Sequence, residues 1–293
     1  MNKLVSSVWF LLVSLVVIWG ATWPIMKMGL SWIDPLWFTV FRLFIALFSL
    51  VPILLFLGRL KLPHKQDVPI VLGVGVLQFA CLTSLVNLGL AEVNAGRAAL
   101  LSYTTPLWVT PGAYFLLKEQ VSPRTLLGVG VGICGLLVLF NPFGFDWSNA
   151  AVLKGNVLLL LAALCWAVSI LQVRQHQWKG SALELAPWQI CVGLSIVIPI
   201  AYFSETRETV WNTELLMILV FCGMLTTAFG QWAAIRVAQI LPAITVSLSF
   251  LTIPLAGIMF SALWLGEKLT LTLGIGTVFI VLGLLLQMNL KRP

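Results

Sequence analysis

The chain has 293 residues, 60% of them hydrophobic and 9% charged, with a mean hydropathy of +1.04. A soluble surface needs roughly a quarter charged residues, so a soluble enzyme is excluded and an integral membrane protein remains, with length for many spans of ~20 residues and little else. The net charge of +7 does not mark a nucleic-acid binder, because the basic residues sit singly in short loops and form no patch or stripe.

The first apolar segment follows Met-Asn-Lys and resembles a signal peptide. Its apolar run is long, however, and Trp19 to Pro24 lacks a small-x-small cleavage site, so an uncleaved first span is expected. In chain order the apolar segments fall at 5–26, 35–57, 68–89, 97–117 and 121–140, then 153–174, 182–203, 213–235, 239–264 and 269–289. Each is long enough to cross a bilayer as a helix. In hydrocarbon the backbone must satisfy its own polar groups, and runs this long without strict alternation favour helices over a barrel. The predicted fold is an all-α integral membrane protein of ten transmembrane helices.

Counting Lys and Arg in alternate loops orients the chain. With the N-terminus inside, the inner set is Lys3, Arg59, Lys61, Lys65, Lys118, Arg124, Arg174, Lys179, Arg236, Lys291 and Arg292; the outer set is only Lys27, Arg97, Lys154, Arg207 and Lys268. Both termini are expected to be cytoplasmic.

The sequence also repeats itself. A shift of 148 positions sets Thr104 on Thr252, Pro106 on Pro254, Glu119 on Glu267, Gly128 on Gly276 and Gly135 on Gly283. In the first two spans the shift is 147, setting Trp19 on Trp166, Thr22 on Ser169, Lys27 on Arg174, Pro52 on Pro199 and Phe56 on Phe203. The expected units are 1–145 and 146–293. Each holds five spans, an odd number, so the second must lie inverted relative to the first. Inverted halves can exchange shapes around one central site, which points to a secondary transporter. The alternatives are an intramembrane enzyme and a non-transporting assembly subunit. The enzyme would need an acid-base or nucleophile cluster within the spans, whereas His64 and His176 lie in loops.

Trp19-Gly20 and Lys27 in the first span, Arg42 seven residues after Pro35, the Pro106 span ending in Lys118-Glu119 and the Pro254 span ending in Gly266-Glu267-Lys268 together resemble the EamA family of the drug/metabolite transporter superfamily. The resemblance covers nearly the whole chain. It implies a ten-helix permease of a bacterial inner (cytoplasmic) membrane, often an exporter of amino acids or other small metabolites. It also implies a cavity lined by spans one, three, four, six, eight and nine.

Arg42 is the one cation well inside a span, where burial costs at least ~2.5 kcal/mol unless it meets water or a partner. It is a binding candidate, with snorkelling to a neighbour's carbonyls as the alternative. Its counterpart in the other half is the neutral Gln189. Gln78, Asn87, Gln172, Gln189 and Gln231 are amides that must face the interior, and Gln78 and Gln231 fall on the cavity spans implied by the resemblance. Trp19, Trp23, Tyr103, Trp166, Trp232 and Phe250 add an aromatic lining suited to an organic solute, although most tryptophans of such a chain belong to interfacial belts. Thr104 stands beside Pro106, which with Pro254 is a candidate kink and pivot, because proline frees the carbonyl four residues earlier.

Glu119 and Glu267 stand at span ends and are read as caps of the helices that follow, the first helped by Ser122-Pro123. That leaves no carboxylate deep in a span. The glycines of 128–135 and 274–283 predict close helix packing, either internal or in a homodimer. Cys81, Cys134, Cys165, Cys191 and Cys222 lie in spans without a CxxC pair or adjacent histidine, so no metal is expected. No phosphate-binding GxxxxGKS loop occurs either. The expected partners are a small-molecule substrate and the lipid bilayer, with no cofactor and no nucleic acid.

Overall fold

A computed structural model describes residues 2–118, 121–140, 149–240 and 243–287. Among them there is no strand. The chain begins with α1 (Asn2–Gly29) and α2 (Pro35–Phe56), the latter opened by a proline at its first position, where the missing N–H costs nothing. Next come α3 (Val68–Val74), a π-helical stretch at Gly75–Leu82 and α4 (Thr83–Glu92), which run on as one rod. Then follow α5 (Ala95–Ser102), α6 (Thr105–Leu117) and α7 (Pro123–Phe140). The second half repeats the series with α8 (Ala150–Gln175), α9 (Ala182–Ser204) and α10 (Thr213–Val220). A π-helical stretch at Phe221–Phe229 leads into α11 (Gly230–Ile240), followed by α12 (Ala243–Leu265) and α13 (Leu271–Gln287).

Among the described residues six helical runs are long and apolar enough to cross a membrane, and three shorter apolar helices accompany them. The surface is apolar. Phe56 is 91% exposed and its counterpart Phe203 is 83% exposed, which water would penalise and a lipid environment does not. Polar side chains such as Thr39, Asn87, Asn156 and Ser169 are buried instead.

The expected fourth span is two helices. The backbone leaves α-helical geometry at Tyr103 and Thr104, and α6 restarts with Pro106 in its first turn. Thr104 donates to Leu101 O at 2.7 Å and Thr105 to Ser102 O at 2.9 Å, so hydroxyls satisfy carbonyls stranded at the break. Pro254 lies within the unbroken α12. Both spans nevertheless end in a left-handed residue, Lys118 (φ 54°) and Gly266 (φ 65°), which a shift of 148 superposes.

The packing also pairs off. α1 lies on α12, while α8 lies on α5 and α6; α2 and α9 pack together; and α7 pairs with α13. In that last pair a Cβ on Gly128 would come 2.6 Å from Gly283 O, and one on Gly135 would come 2.9 Å from Gly276 O. Gly128, Gly135, Gly276 and Gly283 are thus used in contact within one chain, whereas a Cβ on Gly130 or Gly274 would meet nothing within 4 Å.

Two sets of polar contacts close the ends of the α2–α9 pair. At one end Glu205 accepts from the N–H groups of Leu36 (2.9 and 3.0 Å) and Trp37 (3.0 Å). There Arg207 N donates to Asp34 Oδ2 at 3.2 Å and the Arg207 guanidinium to Ser31 O. At the opposite end Asp67 accepts from Lys179 N (3.1 Å) and Gly180 N (2.8 Å), and lies 2.9 Å from His176 Nε2. Arg59 there pairs with Glu184 at 2.9 Å. A shift of 148 sets Arg59 on Arg207. The two ends are named below for Glu205 and Asp67.

The structure corrects one expectation about caps. Thr270 caps α13, accepting from Leu273 N at 3.2 Å. Glu267, turned by the left-handed Gly266, reaches across to α5 and accepts from Ala95 N (2.6 Å) and Gly96 N (3.0 Å). An N-terminus with unpaired amides and a positive dipole end holds a carboxylate better than solvent does. Ser122 caps α7 as expected, accepting from Thr125 N at 3.1 Å. Glu119 lies outside the described residues.

Candidate functional site

The two π-helical stretches are repeat counterparts and border the same interior space. A π turn shifts the hydrogen-bond ladder by one residue and leaves a carbonyl to be satisfied by a side chain. In the second half Thr227 donates to Cys222 O at 2.8 Å; in the first, Thr83 donates to Phe79 O. The proton of Thr227 being committed to Cys222, its oxygen is left to accept, and Arg42 Nε donates to it at 2.9 Å. Thus a distortion in one helix positions the cation of another. Arg42 Nη1 also lies 3.2 Å from Met26 Sδ, a weak acceptor. Among the described residues no carboxylate reaches Arg42.

α1 is stapled to the same π turn. Thr22 donates to Ile18 O at 2.7 Å, so in its 2.8 Å contact with Thr226 it is Thr226 that donates; Trp19 Nε1 donates to Thr226 O at 3.1 Å. These residues enclose a cavity of about 140 Å³ with Arg42, Gln78, Gln231 and Tyr103 on its wall. It adjoins a second cavity of about 170 Å³ through Gln78, Thr227 and Gln231. Tyr103 and Trp166 carry it into a third of about 540 Å³ that reaches Thr110, Arg174 and Gln287.

These cavities lead toward the Asp67 end. Toward the Glu205 end the interior is filled by Ile33, Leu90, Ala95 and Leu215, all fully buried. Lys27 Nζ ties α1 to the end of α4 there, donating to Leu90 O (2.7 Å) and Ala91 O (2.9 Å). α5 packs on α12 at that end, whereas α6 packs on α8 and α7.

Trp19, Trp23, Arg42, Gln78, Tyr103, Trp166 and Gln231 stand together on the first cavity. Trp23 meets Tyr103 edge-on at 6.4 Å and Tyr103 meets Trp166 at 5.9 Å, forming an aromatic run between the first and third cavities. Phe250 lines the third cavity and tilts against Trp19 at 5.6 Å. Thr104 is fully buried at the α5–α6 break, and Trp232 packs on Phe229 at 5.7 Å; neither lines a cavity described here. Pro106 borders the third cavity. Asn87 and Gln172 join helices, donating to Thr39 Oγ1 (2.8 Å) and Pro69 O (3.0 Å). Among the described residues the Gln78 and Gln231 amides and the Tyr103 hydroxyl are committed to no protein hydrogen bond.

Residue type alone does not single out Thr83, Thr226 and Thr227, although the sequence carries a signal. The shift of 148 sets Gln78 on Thr226 and Thr83 on Gln231, so the two halves carry the same pair of residue types in opposite order.

Buried polar groups around a mid-helix cavity, sealed at one end, inside an apolar-surfaced helical bundle, define a membrane transport protein. The sequence agrees twice over, since residues 6–141 and 153–288 each match the EamA-like transporter family. The chain belongs to that family. It is 26% identical over 284 residues to an "Uncharacterized transporter YoaV" of Bacillus subtilis, with 94% of each chain covered. It is also 26% identical over 287 residues to a "Probable amino-acid metabolite efflux pump" of Escherichia coli, covering 92% of this chain and 90% of that one. A crystal structure of a protein 19% identical shares the fold, with a TM-score of 0.65 and 96% of each chain covered.

Proposed function

We propose that this transporter is a secondary permease that exports small organic metabolites, amino acids among them, by alternating access. The observation that carries the reading is the cavity beside Arg42. It is polar and aromatic at mid-helix depth, extended toward the Asp67 end and closed at the Glu205 end. That is the geometry of a site presented to one side at a time. The names of the relatives support the substrate class.

In this reading ten spans form two inverted units, 1–145 and 146–293, in a bacterial cytoplasmic membrane with both termini inside. The Asp67 end is then cytoplasmic and the site is open inward. The α2–α9 pair, tied at both ends, is the stationary axis. The Glu205 end opens when α5 parts from α12, with the break at Tyr103–Thr104 as the pivot and Pro254 as its partner. Trp19, Trp23, Arg42, Gln78, Tyr103, Trp166, Gln231 and Phe250 contact the solute, and Thr104 and Trp232 support their helices. The test is flux in proteoliposomes loaded with radiolabelled amino acids and organic acids. Counterflow above protein-free vesicles is expected for at least one solute and is expected to fall at least tenfold in Arg42→Ala. Absence of flux across the panel would leave a non-transporting subunit.

A further inference from the structure

Charge balance inside the cavity narrows the solute further. Arg42 brings five N–H donors; its Nε is used on Thr227 and one Nη1 donor on the Met26 thioether. Its Nη2 has no hydrogen-bond partner among the described residues. The rest of the first cavity's wall carries amides, hydroxyls, rings and the aliphatic Leu82 and Val86, with no Asp, Glu or second cation; Arg174 stands on the third cavity, beyond Trp166. A guanidinium in a low-dielectric space is stabilised by one carboxylate, which it can grip with two parallel N–H donors. A solute that also carried an ammonium would bring a second positive charge without a carboxylate to receive it, and desolvating that charge is costly.

Resting on the permease reading above, we infer that the Arg42 cavity selects organic monocarboxylates of net charge −1. The carboxylate sits on the Arg42 guanidinium and an apolar or aromatic body lies along Trp23, Tyr103 and Trp166. Within the metabolites related to amino acids, those whose amine is absent or acylated are bound better than the zwitterions. Gln78 and Gln231, uncommitted to protein partners, are placed to bond a second polar group on the body.

The experiment is calorimetric titration of the purified full-length protein in nanodiscs with four compounds sharing one ring: phenylacetate, L-phenylalanine, 2-phenylethanol and phenethylamine. Phenylacetate is expected to bind at least tenfold tighter than each of the others. Arg42→Gln is expected to remove that advantage, and Arg42→Lys to restore part of it, because the charge returns without the fork. Thr227→Val, which takes away the acceptor that aims Nε, is expected to weaken phenylacetate several-fold and leave 2-phenylethanol unchanged. Equal or tighter binding of L-phenylalanine, or phenylacetate binding that survives Arg42→Gln, overturns the inference. The series on the unaltered protein decides the matter even if a variant does not fold. Binding with this charge order but no flux in vesicles would sink the permease reading and leave the site standing. Flux of zwitterions without the charge order would do the reverse.

Discussion

Glu267 Oε1 lies 2.6 Å from the backbone nitrogen of Ala95, joining the turn after α12 to the start of α5 across 172 residues of sequence. The second oxygen takes Gly96 N at 3.0 Å. At the same end Lys27 ties α1 to the end of α4 through Leu90 O and Ala91 O, so the Glu267 contact is one of two that cross between helices there.

Glu267→Ala is therefore expected to loosen that end. Loss of an N-terminal cap costs about 0.5–2 kcal/mol, and here the cost falls on a closed state more than on the fold. The measurement is maleimide labelling of a cysteine placed at Ala98, which is fully buried beneath the contact. Faster labelling from the Glu205 side in the Glu267→Ala background is expected; unchanged labelling would show that the contact does not hold the closure.

Glu205 makes a pH prediction with a definite sign. Burial pushes its carboxyl above the usual range, outweighing the Leu36 and Trp37 amides that hold the charged form. A carboxyl raised on folding favours the protonated folded state. Its contribution is thus full below the unfolded value, about 4.3, and is lost as pH rises through the higher folded value. Melting curves of the protein and of Glu205→Gln are expected to diverge on that account. The difference in stability, Gln variant minus unaltered protein, should grow as pH rises through this window and level off above the folded value. A difference constant with pH would refute the assignment.

Gly128 has no room for a side chain. A Cβ would come 2.6 Å from Gly283 O and 2.9 Å from Gln287 N, both backbone atoms that cannot step aside alone. Gly128→Val is expected to destabilise by about 1–3 kcal/mol, the usual cost of overpacking. Thermal melting in detergent reads it, and light scattering on the same sample should show an unaltered oligomeric state. A change of assembly with unchanged melting would move the glycine face to an interface between copies.

Gln78 and Gln231 border both the first and second cavities. Replacing either with Ala is expected to lower solute affinity several-fold with little change in melting, because neither amide holds protein among the described residues. Asn87→Ala is the contrast: its amide bonds Thr39 in full burial, so melting should fall. Transport assays and melting curves on the three variants separate the two roles.

How much of this was legible in the sequence depends on the range of the cause. Hydropathy alone determined the helical membrane class, since a long apolar run in hydrocarbon must close its own hydrogen bonds. The internal match Thr104 to Thr252 and Gly135 to Gly283 showed two related units, and the pattern around Arg42, Lys27 and Glu267 carried the family. Arg42 could be picked out as a site residue because a lone charge in a span is expensive wherever it points.

What the sequence could not show was which oxygen meets which nitrogen across the bundle. Glu267 looked like the cap of its own neighbour and instead closes α5, because the left-handed turn at Gly266 redirects it. Nothing in the sequence around Thr227 ties it to Arg42; the π turn commits its proton to Cys222 and leaves its oxygen to accept from Arg42. Trp232 had the composition of a cavity residue, yet its ring packs on Phe229, one helical turn away, and borders none of the three cavities. Span content is set by local hydrophobicity and backbone self-satisfaction. The Arg42 cavity is set by helix rotation and by two π turns, and those are decided only when the helices pack.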